Sequence, residues 1–341
     1  MAAVETVLGP VIPEALGVTL SHEHLLLDAR PSWHEPEDER KRKLAHIPVT
    51  PDILHALRQH PYLNLDNCYL EDEGLAIKEA TRFAELGGAT VVDATCLGIG
   101  RDPRSLQRIS RATGLNIIMG TGFYLERTHP PVVRDASPEQ LTELMVSDLT
   151  LGEGGIKSGY IGEIGVSAAF TPTEEKVLRA AARAQAATGV ALSVHLPGWE
   201  RHGHRVLNMI AEEGAQLDRT ILDHMNPSWR DVDYQTSLAD RGAYLEYDMI
   251  GMDYYFASEH AQSPSDDENA QAIMRLLELG YKERVLLSHD VFLKMMLIHY
   301  GGNGYGYISE HFVPRLERGG VTQDLIRTML VTNPARVFGG L

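Results

Sequence analysis

Apolar positions along this chain fall into two alternating rhythms. Short runs rich in Val, Ile, Leu and aromatic residues recur at 17–28, 88–96, 116–124, 159–167, 190–198, 220–226, 243–251 and 284–291. Apolar runs of that length read as strands covered on both faces. Between them lie stretches with apolar residues three and four apart, the spacing of an amphipathic helix. The clearest are EGLAIKEATRFAELGG and PTEEKVLRAAARAQAATG, each closing at Gly, a common helix stop. DENAQAIMRLLELGY and TQDLIRTMLVTNPARVFGG follow the same pattern. Eight strand–helix units without a composition break predict a single α/β domain over 1–341, a (β/α)8 TIM barrel, with a doubly wound sheet as the alternative. Two segments depart from the rhythm. Residues 1–16, with Gly9, Pro10 and Pro13, read as a short N-terminal hairpin. Residues 29–72 form a long insertion after the first strand, rich in Pro, His and Glu, too long for a plain connection.

The apolar runs are interrupted at particular places. In GVTLSHEHLLLD (17–28) three ionisable residues stand in a row. Side chains alternate along a strand, so His22 and His24 share one face and Glu23 takes the other. Two imidazoles one pleat apart can both reach a metal at ~2.0–2.1 Å, and burying them unpartnered is costly. Other interruptions fall where a barrel keeps its active site, at the C-terminal strand ends: Glu163 in the fourth run, His195 in the fifth, His224 in the sixth and Asp290 in the eighth. Four histidines and two carboxylates exceed one tetrahedral site with an open position. They suit two divalent ions ~3.5–4 Å apart, bridged by a carboxylate and a hydroxide. By the same alternation His289 and Asp223 point away from the cage, and Glu23 ties to its outer shell. Asp93, buried in the second run, is expected to orient one of the His22/His24 imidazoles without binding metal.

Composition narrows the partners. A net charge of −16 argues against nucleic acid and anionic membrane surfaces, both of which need clustered Lys and Arg. No apolar run approaches the ~20 residues of a membrane span, and MAAVETVLGP carries no signal-peptide pattern. Two cysteines, Cys68 and Cys96, are too few for a disulfide framework. The expectation is a soluble cytoplasmic protein, a homodimer, acting on a small molecule.

These residues resemble the phosphotriesterase family of the amidohydrolase superfamily. The resemblance runs from TVLGPVIPEALGVTLSHEHLLLD through GIGRDP (98–103) and GTGFY (120–124) to NPARVFG (333–339). It implies a (β/α)8 barrel, a binuclear zinc-type site and hydrolase activity. Carried over by position, His22, His24 and Asp290 bind a buried ion, and His195 and His224 an exposed one. Founding members bridge the ions with a carboxylated lysine of strand 4. This chain offers Glu163 instead, like the phosphotriesterase-related branch, and Lys157 precedes the strand end. Asp290 and Glu163 are the expected catalytic carboxylates, Asp290 accepting the nucleophile's proton.

The bond cleaved is read from the pocket. The strand 7 end, EYDMIG, carries Asp248 and Met249 but neither the relay histidine of efficient phosphotriesterases nor the arginine of typical family lactonases. Tyr124 is placed like the substrate-lining tyrosine of the lactonase-like members. A lactone, carboxylic ester or N-acyl amide is therefore expected, with a phosphotriesterase or a non-catalytic small-molecule-binding barrel as alternatives. His202 and His204 read as solvent-facing. The Gly-rich HYGGNGYGY (299–307) reads as a mobile substrate loop, and it lacks the Lys-Ser/Thr of a phosphate loop.

Overall fold

Each predicted apolar run contains one strand of a single parallel sheet. Strand 1 is Val18–Glu23, strand 2 Gly88–Asp93, strand 3 Asn116–Thr121 and strand 4 Tyr160–Gly165. Strand 5 is Leu192–His195, strand 6 Thr220–Leu222, strand 7 Tyr244–Tyr247 and strand 8 Val285–Leu287. The computed structural model describes residues 3–257 and 259–340. Neighbours in the sheet are neighbours in sequence, from strand 1 to strand 8. Between strands 1 and 8 the seam is bridged by the Asp290 N–H, donating to the His22 carbonyl at 3.2 Å, and the His22 N–H, donating to Ser288 Oγ at 3.0 Å. The architecture is the (β/α)8 barrel.

The helices start where their sequences supply a cap. Asp72 accepts from Leu75 N ahead of Glu73–Glu85. Thr171 with Glu174 opens Pro172–Thr188, and Ser265 with Glu268 opens Asp266–Glu278, each a reciprocal capping box. The run TQDLIRTMLVTNPARVFGG is helical in three pieces, Gln323–Arg327, Thr328–Thr332 and Asn333–Gly339. Its middle piece has the wider i→i+5 turn, which lets the backbone pass Pro334, a residue with no N–H to give. No helix among the described residues is long and apolar enough to cross a membrane.

The N-terminal hairpin pairs Val4–Thr6 with Gly9–Val11. It covers the end of the barrel where the strands begin. There Val4, Leu16, Tyr160, Ile221, Leu286 and Phe338 form a separate apolar cluster. The insertion after strand 1 is closed at its root by an antiparallel pair, Leu27–Asp28 with Tyr69–Leu70. Inside it lie the short helices Glu39–Ala45 and Leu54–Leu57.

The Gly-rich segment at 299–307 is not part of the cavity lining. It packs against the barrel. The Tyr305 hydroxyl is buried and donates to the His24 carbonyl at 2.6 Å, and Glu79 accepts from the N–H groups of Ile298 and His299. At Gly302 an added Cβ would run into the Met295–Met296 backbone, so glycine here serves close packing.

Candidate metal centre

The strand ends bring His22, His24, Glu163, His195, His224 and Asp290 into one cage at the C-terminal mouth. Three of them, His24, His224 and Asp290, sit beyond the last paired residue of their strands. His224 and Asp290 have φ of 57° and 51°, a left-handed conformation that turns their side chains inward. Strict alternation therefore stops short of the site.

Glu163 joins the two halves of the cage. Its Oε1 lies 3.4 Å from His24 Nε2 and 3.7 Å from His22 Nε2. Its Oε2 lies 3.0 Å from His195 Nδ1 and 3.7 Å from His224 Nε2. Asp290 Oδ1 faces the first half, 3.3 Å from His24 Nε2 and 3.7 Å from His22 Nε2. Three-residue groupings able to hold an ion are His22/His24/Glu163, Glu163/His195/His224, His22/His224/Asp290 and, beneath the cage, His22/Asp223/Asp248. Lys157 stands before strand 4 begins, at the opposite end of the barrel from this cage.

The far side of each ring fixes which nitrogen faces inward. Thr95 Oγ1 donates to the Leu26 carbonyl at 3.0 Å, so at 2.9 Å from His24 Nδ1 it accepts, leaving His24 Nε2 free for the cage. Asp248 Oδ1 accepts from His224 Nδ1 at 3.0 Å, turning Nε2 into the cage, 2.7 Å from His195 Nδ1. His22 Nδ1 lies 3.7 Å from both Asp223 Oδ2 and Asp248 Oδ2. His22 Nε2 is buried with no hydrogen-bond partner among the described residues. An orphaned nitrogen aimed between two carboxylates fits a cation, since leaving it unpaired is costly.

The electrostatics agree. Burial lowers the His22 imidazole, but Asp223 and Glu163 outweigh it and hold it well above its usual value. Burial likewise lowers His24, and Asp290 and Glu163 raise it to about 9. His224 is raised well above its usual value, Asp248 overcoming burial. Burial alone would raise Glu163; His22, His195 and His224 hold it well below the ordinary carboxylate range. Such a cage demands positive charge, which divalent ions can supply in place of protons.

Several expectations change at this point. Asp93 contacts neither imidazole. Its carboxylate accepts from Leu25 N at 2.9 Å and Thr95 N at 3.1 Å, so it reaches His24 only through Thr95. This bonding follows from the ends of strands 1 and 2, which bring the Leu25 and Thr95 N–H groups to the carboxylate. Asp223 does not point to the helix side. It lies inside the barrel beneath His22, bonded by Ser193 Oγ at 2.7 Å. With Asp248 and Glu246 it forms a fully buried acidic tier that alternation did not foresee. The signal was present in TILDH and LEYD, where acids interrupt apolar strands and must find partners. Glu23 and His289 lie outside the cage and tie strand 1 to strand 8. Glu23 accepts from Ser288 Oγ, the His289 and Val291 N–H groups and His289 Nδ1.

Above the cage opens a cavity of about 580 Å³. Tyr124 stands in its wall, its hydroxyl 3.5 Å from His195 Nε2. Gly165 lets the Tyr124 backbone press against the end of strand 4, where a Cβ would collide. Tyr62, from the insertion, faces the same space. His202 and His204 do not line it; they bond the Ala168 carbonyl and Ser237 Oγ.

Comparison with known proteins places this geometry in context. A model of the phosphotriesterase family matches residues 2–338. The N-acetyltaurine hydrolase of Xenopus tropicalis is 36% identical over 338 residues, 97% of this chain and 96% of the relative. Among solved structures, the resiniferatoxin-binding protein of Rhodobacter sphaeroides superposes with a TM-score of 0.98 at 50% identity, over 99% of this chain and 95% of that one. The lactonase of Listeria monocytogenes superposes at 0.79 with 27% identity, over 99% of each chain.

Proposed function

We propose, for a chain that belongs to the phosphotriesterase family of metal-dependent hydrolases, that it cleaves a carboxylic substrate, an N-acyl amide or a lactone or ester, with two divalent ions, most simply zinc. The observation that carries this reading is Glu163, whose two oxygens face two different pairs of imidazoles. His22, His24 and Asp290 would hold one ion and His195 and His224 the other, with Glu163 between them. When bound, such ions lower the pKa of water and polarise a substrate oxygen.

The chain's own groups do the rest. Asp290 lines the cavity and presents a carboxylate beside His24, where it can accept a proton from the attacking water. Asp248 and Thr95 hold the His224 and His24 rings so that their Nε2 atoms face the cage. Tyr124 stands over His195 as a hydroxyl donor to the substrate. Amide and lactone cleavage is favoured over phosphotriester cleavage by the N-acetyltaurine hydrolase and lactonase names of similar proteins.

A second reading is supported by the resiniferatoxin-binding neighbour: the barrel binds a ligand without turning it over. A binder has no use for two ringed sets of ligands open to the cavity. Assays of zinc-reconstituted protein against N-acyl amides, lactones and phosphotriesters separate the two. Turnover of either carboxylic class supports hydrolysis, whereas a fully loaded protein inert on all three supports the binder.

A further inference from the structure

The cavity above the cage is polarised across the barrel. One wall comes from the loops after strands 1 and 3, the other from the loops after strands 5 and 7, across the strand order from each other. The first wall holds Arg127, whose Nε donates to Ser32 Oγ at 2.9 Å. Tyr62 and Tyr124 line the cavity from the same two loops as Ser32 and Arg127. Among the described residues Arg127 is the one Lys or Arg lining the cavity. The second wall is built differently. Trp199 and Phe256 pack with ring centroids 5.6 Å apart beside Met249 and Met252. Glu200 and Glu259 add negative charge at that wall's exposed rim.

The scissile group must sit at the cage, between these walls. A molecule that suits both carries an anion on one side of that group and hydrocarbon on the other. The acidic rim repels an anion bound in the reverse sense. A two-carbon acyl group would leave most of the Trp199–Phe256 wall uncovered in a space of about 580 Å³.

We propose that the substrate is an anionic amphiphile, an N-acyl amino acid or N-acyl aminosulfonate with a medium or long acyl chain. Arg127 pairs with its anion, and the Trp199–Phe256 wall covers its chain. The inference rests on the hydrolytic reading above. Water gives its oxygen to the acyl carbon, the C–N bond breaks, and the amine leaves with the proton. It differs from the acetyl group in the relative's name by chain length, and it makes Arg127 the residue that selects charge.

The test uses the metal-loaded full chain with N-acetylglycine, N-decanoylglycine, N-decanoyltaurine and the neutral N-decanoylglycinamide. Expected is a kcat/KM at least about tenfold higher for decanoyl than for acetylglycine, from added apolar contact. Arg127→Gln should raise KM for the two anions about tenfold more than for the neutral amide, with kcat little changed. The better of the glycine and taurine conjugates identifies the anion that Arg127 reads, and either supports the inference. Equal efficiency for acetyl and decanoylglycine, or an equal KM change for charged and neutral substrates, overturns it. If no form cleaves any of the four, the hydrolytic reading has failed, and calorimetry then decides the inference separately. Binding of N-decanoylglycine weakened about tenfold in Arg127→Gln supports it; unchanged binding overturns it.

Discussion

The same eight strands build two unlike ends. Where they begin, the barrel is stoppered by hydrocarbon: Val4, Leu16, Ile221, Leu286 and Phe338 meet around Tyr160, with the N-terminal hairpin beneath. Where they end, it is filled with imidazoles and carboxylates held in a defined order. Strand 4 shows both within six residues, from Tyr160 in the stopper to Glu163 in the cage. The contrast separates two kinds of work. The stopper contributes apolar burial, which is insensitive to direction. The cage contributes nothing of that sort; its buried charges cost stability unless ions and hydrogen bonds compensate them. Conditions that harm one end should therefore spare the other.

The sharpest way to break this separation is to remove the bridge. Glu163→Ala should abolish activity and lose at least one of two ions per chain, measured by elemental analysis of protein purified without chelator. Lys157→Ala, at the stopper end of strand 4, should keep both ions and activity. Retention of two ions by Glu163→Ala, or loss of them by Lys157→Ala, would falsify the assignment of the bridge. Next in size is a cut at the other end. Phe338→Ala leaves a void against Tyr160 and should lower stability by about 3–5 kcal/mol in denaturant titration. The chains that remain folded should still bind metal in the same ratio. If metal is lost along with stability, the two ends are one cooperative unit.

Much of the contrast could be read from the sequence. Eight apolar runs gave the barrel, and six ionisable residues at their ends gave the cage, because a buried ionisable group in an apolar strand needs a partner. Alternation served at His22, Glu23 and His24, which all lie in or beside a paired strand. It misled at Asp223, because His224 and Asp290 leave the extended conformation and the two-residue period no longer holds. The insertion's role was hidden for another reason. Tyr62 reaches the cavity from a segment with no periodicity to predict its path. The Gly-rich stretch at 299–307 carried an ambiguous signal, since glycine marks freedom of motion and close packing alike.

The acidic tier under the cage sharpens the comparison, because it is built of carboxyl groups yet is as buried as the stopper. Asp248 accepts from both the His224 backbone N–H, at 3.0 Å, and its ring. Asp248→Asn keeps the shape but gives up one of these acceptances. Outer-shell changes of this kind cost ~10–100-fold in metal affinity, equivalent to ~1.4–2.8 kcal/mol. Competition with a chelator should show that loss with little change in thermal unfolding of the metal-free protein. A large drop in metal-free stability with unchanged affinity would make the tier part of the fold alone.

Asp93 should give the smallest effect, and it tests how far the cage's influence extends. Its carboxylate accepts two backbone N–H groups, and only Thr95 connects it to His24. Asn can accept one of those N–H groups but turns a second donor towards the other, leaving it unpaired at about 1–3 kcal/mol. The loss should fall on stability. Metal affinity should fall by less than about tenfold, below the outer-shell range, because Thr95 still bonds the Leu26 carbonyl and keeps its oxygen facing His24. Thr95→Val, which deletes that oxygen, should weaken metal binding more than Asp93→Asn while costing less stability. The order of the two variants is the measurement: if Asp93→Asn loses more metal affinity than Thr95→Val, the carboxylate acts on the cage through its charge rather than through the threonine, and the boundary drawn here between the cage and its supports lies one residue too close.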